Sequence, residues 1–188
     1  MNTRKTIALV DTNVWLDCYL PDRPNSVATR DFICMAQQNS VQLAYPVHIL
    51  KDVFYLIQLD LKRMARKNGA GTESDFLAVQ RAAWSCIENM REQAIAVGAD
   101  ESDAWLACKY RPLSEDLEDN FVLAAAERAE ADFIVTSDKT LIRKATVAAY
   151  TPQDALKYLE AIARSFSCRS WVICAYLISI ASPNEKNR

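Results

Sequence analysis

A short apolar stretch that ends in an acid constrains the fold of this chain more than any other feature. Thr6–Val10 is a run of apolar or β-branched residues, and Asp11 follows it directly. Such a run is typical of a strand that is buried on both faces, as in the middle of a parallel sheet. In open α/β sheets, ligands bind in the crevice outside the carboxyl ends of the strands. The stretch therefore predicts a central strand that places Asp11 at the binding edge of a sheet.

The same pattern occurs again in the last third of the chain. Phe133–Thr136 has the character of another buried strand, and Ser137 and Asp138 follow it. Three more segments are predicted to be strands: 41–45, 94–97 and 147–150. Helical patterns separate the strands, which indicates a parallel sheet covered on both faces. We therefore predict a three-layer α/β/α fold with a central parallel sheet of four to five strands, in which the two acids share one edge.

Two long helical patterns follow each other without a strand between them. Pro46 suits the first turn of a helix, and the first pattern runs from there to Lys67 with a wide apolar face. Asn68–Gly71 ends this helix, and a second one begins near Thr72. The sequence therefore predicts a helical hairpin inserted in the α/β pattern.

The length of 188 residues fits one domain that buries a sizeable core. We assign residues 1–163 to this domain and residues 164–188 to a C-terminal extension. Within the extension, residues 171–181 are largely apolar but too few to span a bilayer. A docking helix, a dimer surface and an extension without a selected role all remain open for this tail.

Charge and cysteine content narrow the range of partners and locations. The net charge of -2 argues against a protein that coats nucleic acid through bulk positive charge, so such a partner must be bound by a local patch. The six cysteines include no C-x-x-C pair, which is typical of reduced thiols rather than of a zinc site or a disulfide framework. The apolar run near the N-terminus is too short for a signal peptide or a membrane span. We expect a cytoplasmic protein with no membrane partner.

Two further acids belong to segments that reach the same edge of the sheet. In a parallel α/β sheet, helices begin where the preceding strands end, and Asp119 lies in the first turn of a predicted helix while Asp52 lies within the first two turns of another. Four converging carboxylates repel one another and raise their pKa values unless a cation sits among them. Mg²⁺ and Mn²⁺ prefer oxygen ligands of this kind. Such a site suits phosphodiester hydrolysis, because a bound metal activates water and stabilises charge on the reacting oxygens.

Each of these residues also has an ordinary structural explanation. Asp119 is placed like a capping acid, and Asp52 like a solvated charge on a helix face. Three polar residues either orient a carboxylate or only border a strand: Asn13, Thr136 and Ser137. Four basic residues form either an RNA phosphate patch or a solvated helix face: Lys62, Arg63, Arg66 and Lys67. His48, the sole histidine, has no second histidine with which to form an acid/base pair.

Three segments in this order resemble the PIN domain, and most closely its VapC-type toxins, over about residues 6–162: Leu9–Asn13, Leu117–Ala126 and Ala131–Asp138. The resemblance implies a Mg²⁺- or Mn²⁺-dependent endoribonuclease whose acids include Asp11, Asp119 and Asp138, with Thr136 as the hydroxyl residue before the last of them. Asp52 stands where the family usually has Glu, one methylene longer. The resemblance also implies a homodimer and a small antitoxin that places a basic side chain among the acids.

Other enzymes that place an aspartate at the end of a strand require further acids nearby. A phosphatase that forms an aspartyl-phosphate requires an acid where Asn13 stands, and a receiver domain requires an acidic pair before its phosphorylated aspartate. The chain has neither pattern. A PIN-like module that only binds RNA or protein, and a metal-dependent DNA nuclease, both remain open.

Overall fold

Five parallel strands form the centre of the molecule. The computed structural model describes residues 4–67, 69 and 72–163. The strands are β1 (Ile7–Val10), β2 (Gln42–Pro46), β3 (Ala94–Val97), β4 (Phe133–Val135) and β5 (Ala148–Tyr150). They are arranged in the order β3-β2-β1-β4-β5, so that β1 is central. The predicted parallel sheet is confirmed at its upper limit of five strands.

Helices cover both faces of this sheet. They are α1 (Thr12–Tyr19), α2 (Ser26–Gln38), α3 (Ile49–Lys67), α4 (Glu73–Gln93), α5 (Glu101–Lys109), α6 (Leu117–Arg128), α7 (Lys139–Lys144) and α8 (residues 152–163). Each strand-to-strand crossover contains at least one helix, as parallel pairing requires. None of the helices in the described part of the chain is long and apolar enough to cross a membrane.

Alternation along β1 divides the core into two layers. Ala8 and Val10 contribute to one apolar cluster, and Leu9 contributes to the other. All three side chains are fully buried, as expected for the middle strand of a covered sheet. Residues of α1, α2, α3 and α4 pack on the first side, and residues of α6 and α7 pack on the second. The α/β/α layering therefore follows from a strand that is apolar on both faces.

The predicted helical hairpin consists of α3 and α4, which pack against each other. Thr72 caps α4 because its hydroxyl accepts from the backbone N–H of Asp75, while the Asp75 carboxylate accepts from the N–H of Thr72. Buried apolar residues recur along α4 at helical spacing: Val79, Ala83, Ile87 and Met90. The last three belong to the same core cluster as the buried residues of α3. The hairpin is thus an extra layer of the core on one side.

The structure corrects one boundary. Pro46 ends β2, opposite Val97, and α3 begins three residues later, so the predicted position of Pro46 in the first helical turn is wrong. Proline has no N–H to donate, and the pairing with β3 continues through the next residue, Val47, whose N–H donates to the carbonyl of Val97 at 2.9 Å. Residues 164–188, the predicted extension with its apolar run, lie outside the described residues.

Candidate functional site

Asp11 lies at the point where the central strand turns directly into a helix. Its backbone N–H donates to the carbonyl of Val135 at 3.0 Å, which extends the β1–β4 pairing by one residue. Its Oδ1 accepts from the N–H of Thr12 at 2.7 Å, so Asp11 is also the N-cap of α1. The side chain is only 6% exposed. A carboxylate is thereby buried at the carboxyl edge of the sheet.

Asn13 and Thr136 hold the second oxygen of this carboxylate. Oδ2 of Asp11 accepts from Nδ2 of Asn13 and from the hydroxyl of Thr136, each at 2.7 Å. The Thr136 hydroxyl also accepts from the N–H of Asp138 at 3.0 Å, and Oδ1 of Asn13 accepts from the N–H of Ser137 at 2.8 Å. These bonds connect the end of β1 to the segment between β4 and α7. All three residues predicted to support the site therefore belong to one hydrogen-bond network.

Acidic side chains from three segments line one cavity beside Asp11. The cavity has a volume of about 230 Å³, and its acids are Asp11, Asp116, Glu118, Asp119 and Asp138. Three of these acids were predicted to converge, and the structure brings them together. The other two, Asp116 and Glu118, were not among the predicted site residues.

Asp52 is not among the residues that line this cavity. Its carboxylate forms an ion pair with Nζ of Lys51 at 2.8 Å on the surface of α3. It lies close enough to Glu118 to raise the pKa of that residue, after the larger effect of burial. Glu118 reaches the cavity from the first turn of α6, where its Oε1 accepts from the Thr12 hydroxyl at 3.4 Å. In sequence, Glu118 resembles an ordinary first-turn acid, and only its place beside Asp119 distinguishes it.

Helix capping is divided among several of these acids. Asp116 caps α6, since its Oδ1 accepts from the N–H groups of Glu118 and Asp119. Asp119 itself accepts a hydrogen bond from the Ser114 hydroxyl at 3.1 Å. Oδ1 of Asp138 caps α7 through the N–H groups of Thr140 and Leu141. Capping thus employs one oxygen of Asp138 and is compatible with a second role for the other.

The electrostatics of the cavity favour a bound cation. Burial raises the pKa of Asp11 to about 6, against hydrogen bonds from Thr136 and Thr12 that lower it, and the negative charges of Glu118 and Asp119 raise it further. Burial is also the main reason why the pKa values of Glu118 and Asp119 are raised. Among the described residues, Lys144 exerts a small opposing effect on the pKa of Asp119, and Lys51 lies close enough to Glu118 for their charges to interact. Ionising the whole cluster therefore costs free energy that a cation would offset.

The carboxylates of the cavity are the type of ligand that a hard divalent cation prefers, although they are not close enough together to hold one in this structure. No group of three or more His, Cys, Asp and Glu side chains in the described residues is close enough to hold a metal ion. The five acids nevertheless share one cavity and offer only carboxylate oxygens, the ligands that Mg²⁺ and Mn²⁺ prefer. A carboxylate has about four acceptor positions, and Asp11 uses three of them in the bonds described above. Its Oδ1 thus retains one acceptor position.

The predicted basic patch lies elsewhere on the molecule. Lys62, Arg63, Arg66 and Lys67 occupy the C-terminal part of α3 and are not among the residues lining the acidic cavity. Arg63 forms an ion pair with Asp60 at 3.2 Å. His48 also lies outside the cavity, with its ring against Phe121 at 5.4 Å between centroids. Burial lowers the pKa of His48.

The chain is thus an α/β protein with a carboxylate site at the carboxyl ends of its parallel strands. A helical hairpin is inserted in this architecture. The PIN domain sequence profile matches residues 8–140, which is more than half of the chain. The chain therefore belongs to the PIN domain family, whose members are typically nucleases. No curated protein matches the chain by sequence.

Solved structures agree with this assignment. PAE2754 from Pyrobaculum aerophilum is 16% identical with a TM-score of 0.54, and the match covers 84% of this chain and 99% of that one. VapBC2 from Rickettsia felis, crystallised with a DNA fragment from its promoter, is 10% identical with a TM-score of 0.52 over 78% and 98% of the two chains. VapC20 from Mycobacterium tuberculosis, a toxin that cleaves the sarcin-ricin loop, is 10% identical with a TM-score of 0.52 over 72% and 93%. At these identities the likeness concerns the fold.

Proposed function

We propose that this protein is a Mg²⁺- or Mn²⁺-dependent endoribonuclease and the toxin of a toxin–antitoxin pair. The observation that carries the proposal is the cavity in which Asp11, Asp119 and Asp138 lie together at the carboxyl edge of the sheet. The raised pKa of Asp11 supports it, because a buried acid among other acids is suited to binding a cation.

The side chains have distinct roles in this proposal. Asp11, Asp119 and Asp138 hold the metal, and the fourth acid is either Glu118, which lines the cavity, or Asp52, which lies near it. A metal bound there lowers the pKa of a water molecule and stabilises charge on the reacting phosphate oxygens. Asn13 and Thr136 fix Oδ2 of Asp11 and thereby orient Oδ1. Ser137 keeps the segment that carries Asp138 close to α1.

The RNA and the partner protein are proposed on separate grounds. Lys62, Arg63, Arg66 and Lys67 supply positive charge for RNA phosphates on a chain whose net charge is negative. The fold likeness to VapBC2 supports a cognate antitoxin, and the sequence resemblance to VapC-type toxins implies a homodimer. The free thiols of Cys18, Cys34, Cys86 and Cys108 support a reducing, cytoplasmic location.

Cleavage of purified total RNA tests this function. We expect internal cuts with Mg²⁺ or Mn²⁺, no cuts with excess chelator, and loss of cleavage in Asp11→Asn and Asp138→Asn. Asp31→Asn is the matched control, because Asp31 is an exposed acid on α2 outside the cavity. Cleavage that persists in Asp11→Asn would contradict the proposal. If the protein cleaves single-stranded DNA and leaves RNA intact, its substrate is DNA and not RNA.

A further inference from the structure

A second concave surface, of about 440 Å³, lies in the inserted hairpin. We call it the hairpin groove, and it lies between α3 and α4 with Leu50, Phe54, Trp84 and Ile87 as its apolar lining. None of its residues lines the acidic cavity. A volume of this size accommodates a planar ring system such as a nucleobase.

The main feature of the hairpin groove is an exposed tryptophan. Trp84 is 54% exposed although it is among the largest apolar side chains of the protein. Its ring packs against Phe54, with 4.9 Å between centroids and 51° between planes. This contact holds Trp84 in place while much of its surface remains accessible. A fixed, accessible indole ring is a suitable platform for stacking a planar ligand.

Positive charge lines the same groove. Lys51 on α3 and Arg91 on α4 are both exposed and line it, together with one acid, Glu88. Arg91 forms no ion pair with any described residue, and Lys51 pairs only with the half-exposed Asp52. Exposed pairs of this kind are weak and exchange readily for another anion. An aromatic platform with two cations is complementary to a nucleotide, whose base stacks and whose phosphate is negative.

One helix, α3, contributes side chains to both the hairpin groove and the acidic cavity. Leu56 of this helix lines the cavity, whereas Leu50, Lys51 and Phe54 line the groove. Lys51 is also close enough to Glu118, an acid of the cavity, for its charge to be stabilised by it. A phosphate bound at Lys51 would therefore lie close to an acid of the cavity.

We propose that the hairpin groove binds an unpaired nucleotide of the RNA substrate, with its base stacked on Trp84 and adjacent phosphates at Lys51 and Arg91. This inference rests on the proposed ribonuclease function and adds its substrate class, RNA that is single-stranded next to the cut. Bases inside a duplex are stacked on one another and cannot enter a groove, whereas bases of loops and ends can.

Binding of a short RNA, measured with chelator present so that no cleavage occurs, tests the groove independently of catalysis. The probe is a fluorescently labelled single-stranded oligouridylate, and the readout is its anisotropy with the full chain. We expect Trp84→Ala to weaken binding about five- to a hundredfold, the range for loss of one stacked base. Trp84→Phe retains a ring and should lose much less. Arg91→Ala should weaken binding and reduce the salt dependence by about 0.7 in log–log slope.

Trp105→Ala is the matched control, because Trp105 is another exposed tryptophan, on α5 and outside the groove. Wild-type affinity of Trp84→Ala, or an equal loss in Trp105→Ala, would overturn the groove proposal. The proposal would also be overturned if Trp84→Ala weakened binding of duplex RNA as much as binding of the single strand. Conversion of a dimer to a monomer by Trp84→Ala in sedimentation would overturn it too, because the groove would then be an interface between copies. If RNA binds through Trp84 but is never cut with either metal, the groove stands and the ribonuclease proposal fails.

Discussion

The hydroxyl of Ser137 donates a 3.1 Å hydrogen bond to Oδ2 of Asp17, a carboxylate that is almost fully buried in α1. The same hydroxyl accepts from Nδ2 of Asn25 at 3.0 Å, and Oδ1 of Asp17 forms an ion pair with Arg23 at 2.6 Å. Ser137 lies between Thr136 and Asp138. The segment that delivers Asp138 to the acidic cavity is therefore tied to α1 and α2 as well as to Asp11.

This relationship predicts that Asp17→Asn destabilises the protein by about 1–3 kcal/mol, the cost of weakening buried hydrogen bonds to a charged group. Urea denaturation of the full chain measures this loss. Asp22→Asn is the control, because Asp22 is exposed and the change should stay within about 0.5 kcal/mol. Equal free energies of unfolding for the two variants would show that the hydrogen bond between Ser137 and Asp17 contributes little to stability.

Asp11→Asn should have the opposite effect on stability at neutral pH without metal. The pKa of Asp11 is raised from 3.8 to about 6 in the folded protein, so the folded state holds the proton more tightly than the unfolded chain. The contribution of Asp11 to the free energy of unfolding is therefore greatest below pH 3.8, and it falls as the pH rises towards 6. The full shift corresponds to about 3 kcal/mol. Asparagine carries no charge and its amide oxygen can keep the cap to the Thr12 N–H. Its NH2 group, however, no longer accepts the hydrogen bond from Nδ2 of Asn13, which offsets about 1 kcal/mol of the gain.

Urea denaturation with chelator at pH 4 and pH 7.5 measures the difference between the wild type and Asp11→Asn. We expect the variant to be the more stable protein at pH 7.5 and to lose this advantage at pH 4. A variant that is less stable than the wild type at both values would mean that ionised Asp11 is fully compensated by its hydrogen bonds.

Thr136 should be sensitive to loss of its hydroxyl more than to loss of its methyl group. Thr136→Val removes a donor to the buried carboxylate of Asp11 and leaves the N–H of Asp138 without its acceptor, at a cost of about 2 kcal/mol. Thr136→Ser keeps both bonds and loses one methyl group, at about 1 kcal/mol. Because the lost hydrogen bond lowers the pKa of Asp11, valine should also move that pKa above 6 while serine leaves it unchanged. Carboxyl-carbon NMR titration of Asp11 distinguishes this from a packing defect, in which both variants would shift alike.

The sheet could be predicted because the sequence of each strand carries its own signal. Ile7–Val10 and Phe133–Val135 are apolar without interruption, as is typical of short strands covered on both faces. Asp11 and Asp138 follow these strands directly, so their common edge could be predicted as well. The sequence pattern was sufficient to predict these features because each acid follows its strand directly, so that the residues are neighbours both in sequence and in space.

The remaining features depend on packing between distant segments. Asp17 has a sequence context like any helical acid, and its burial depends on Arg23 and Ser137 arriving from other segments. Glu118 and Asp52 both belong to the first turns of helices, and which of them reaches the cavity depends on how far α3 and α6 stand from β1. A pattern of residue types contains no measure of that distance, and it therefore could not separate the two acids.

The choice between these two acids leads to a prediction that cation binding resolves. Thermal unfolding with and without Mn²⁺ reports binding, since a ligand at a hundred times its Kd stabilises the folded state by about 2.7 kcal/mol. We expect Glu118→Gln to lose most of the Mn²⁺-induced increase in Tm, because Glu118 lines the cavity and glutamine preserves its length and its bond to Thr12. Asp52→Asn should keep most of it, since Asp52 is paired with Lys51 outside the cavity. Asp31→Asn should behave like the wild type. The reverse result, with loss only in Asp52→Asn, would mean that α3 moves towards the acids when the cation binds and that the sequence resemblance identified the fourth ligand correctly.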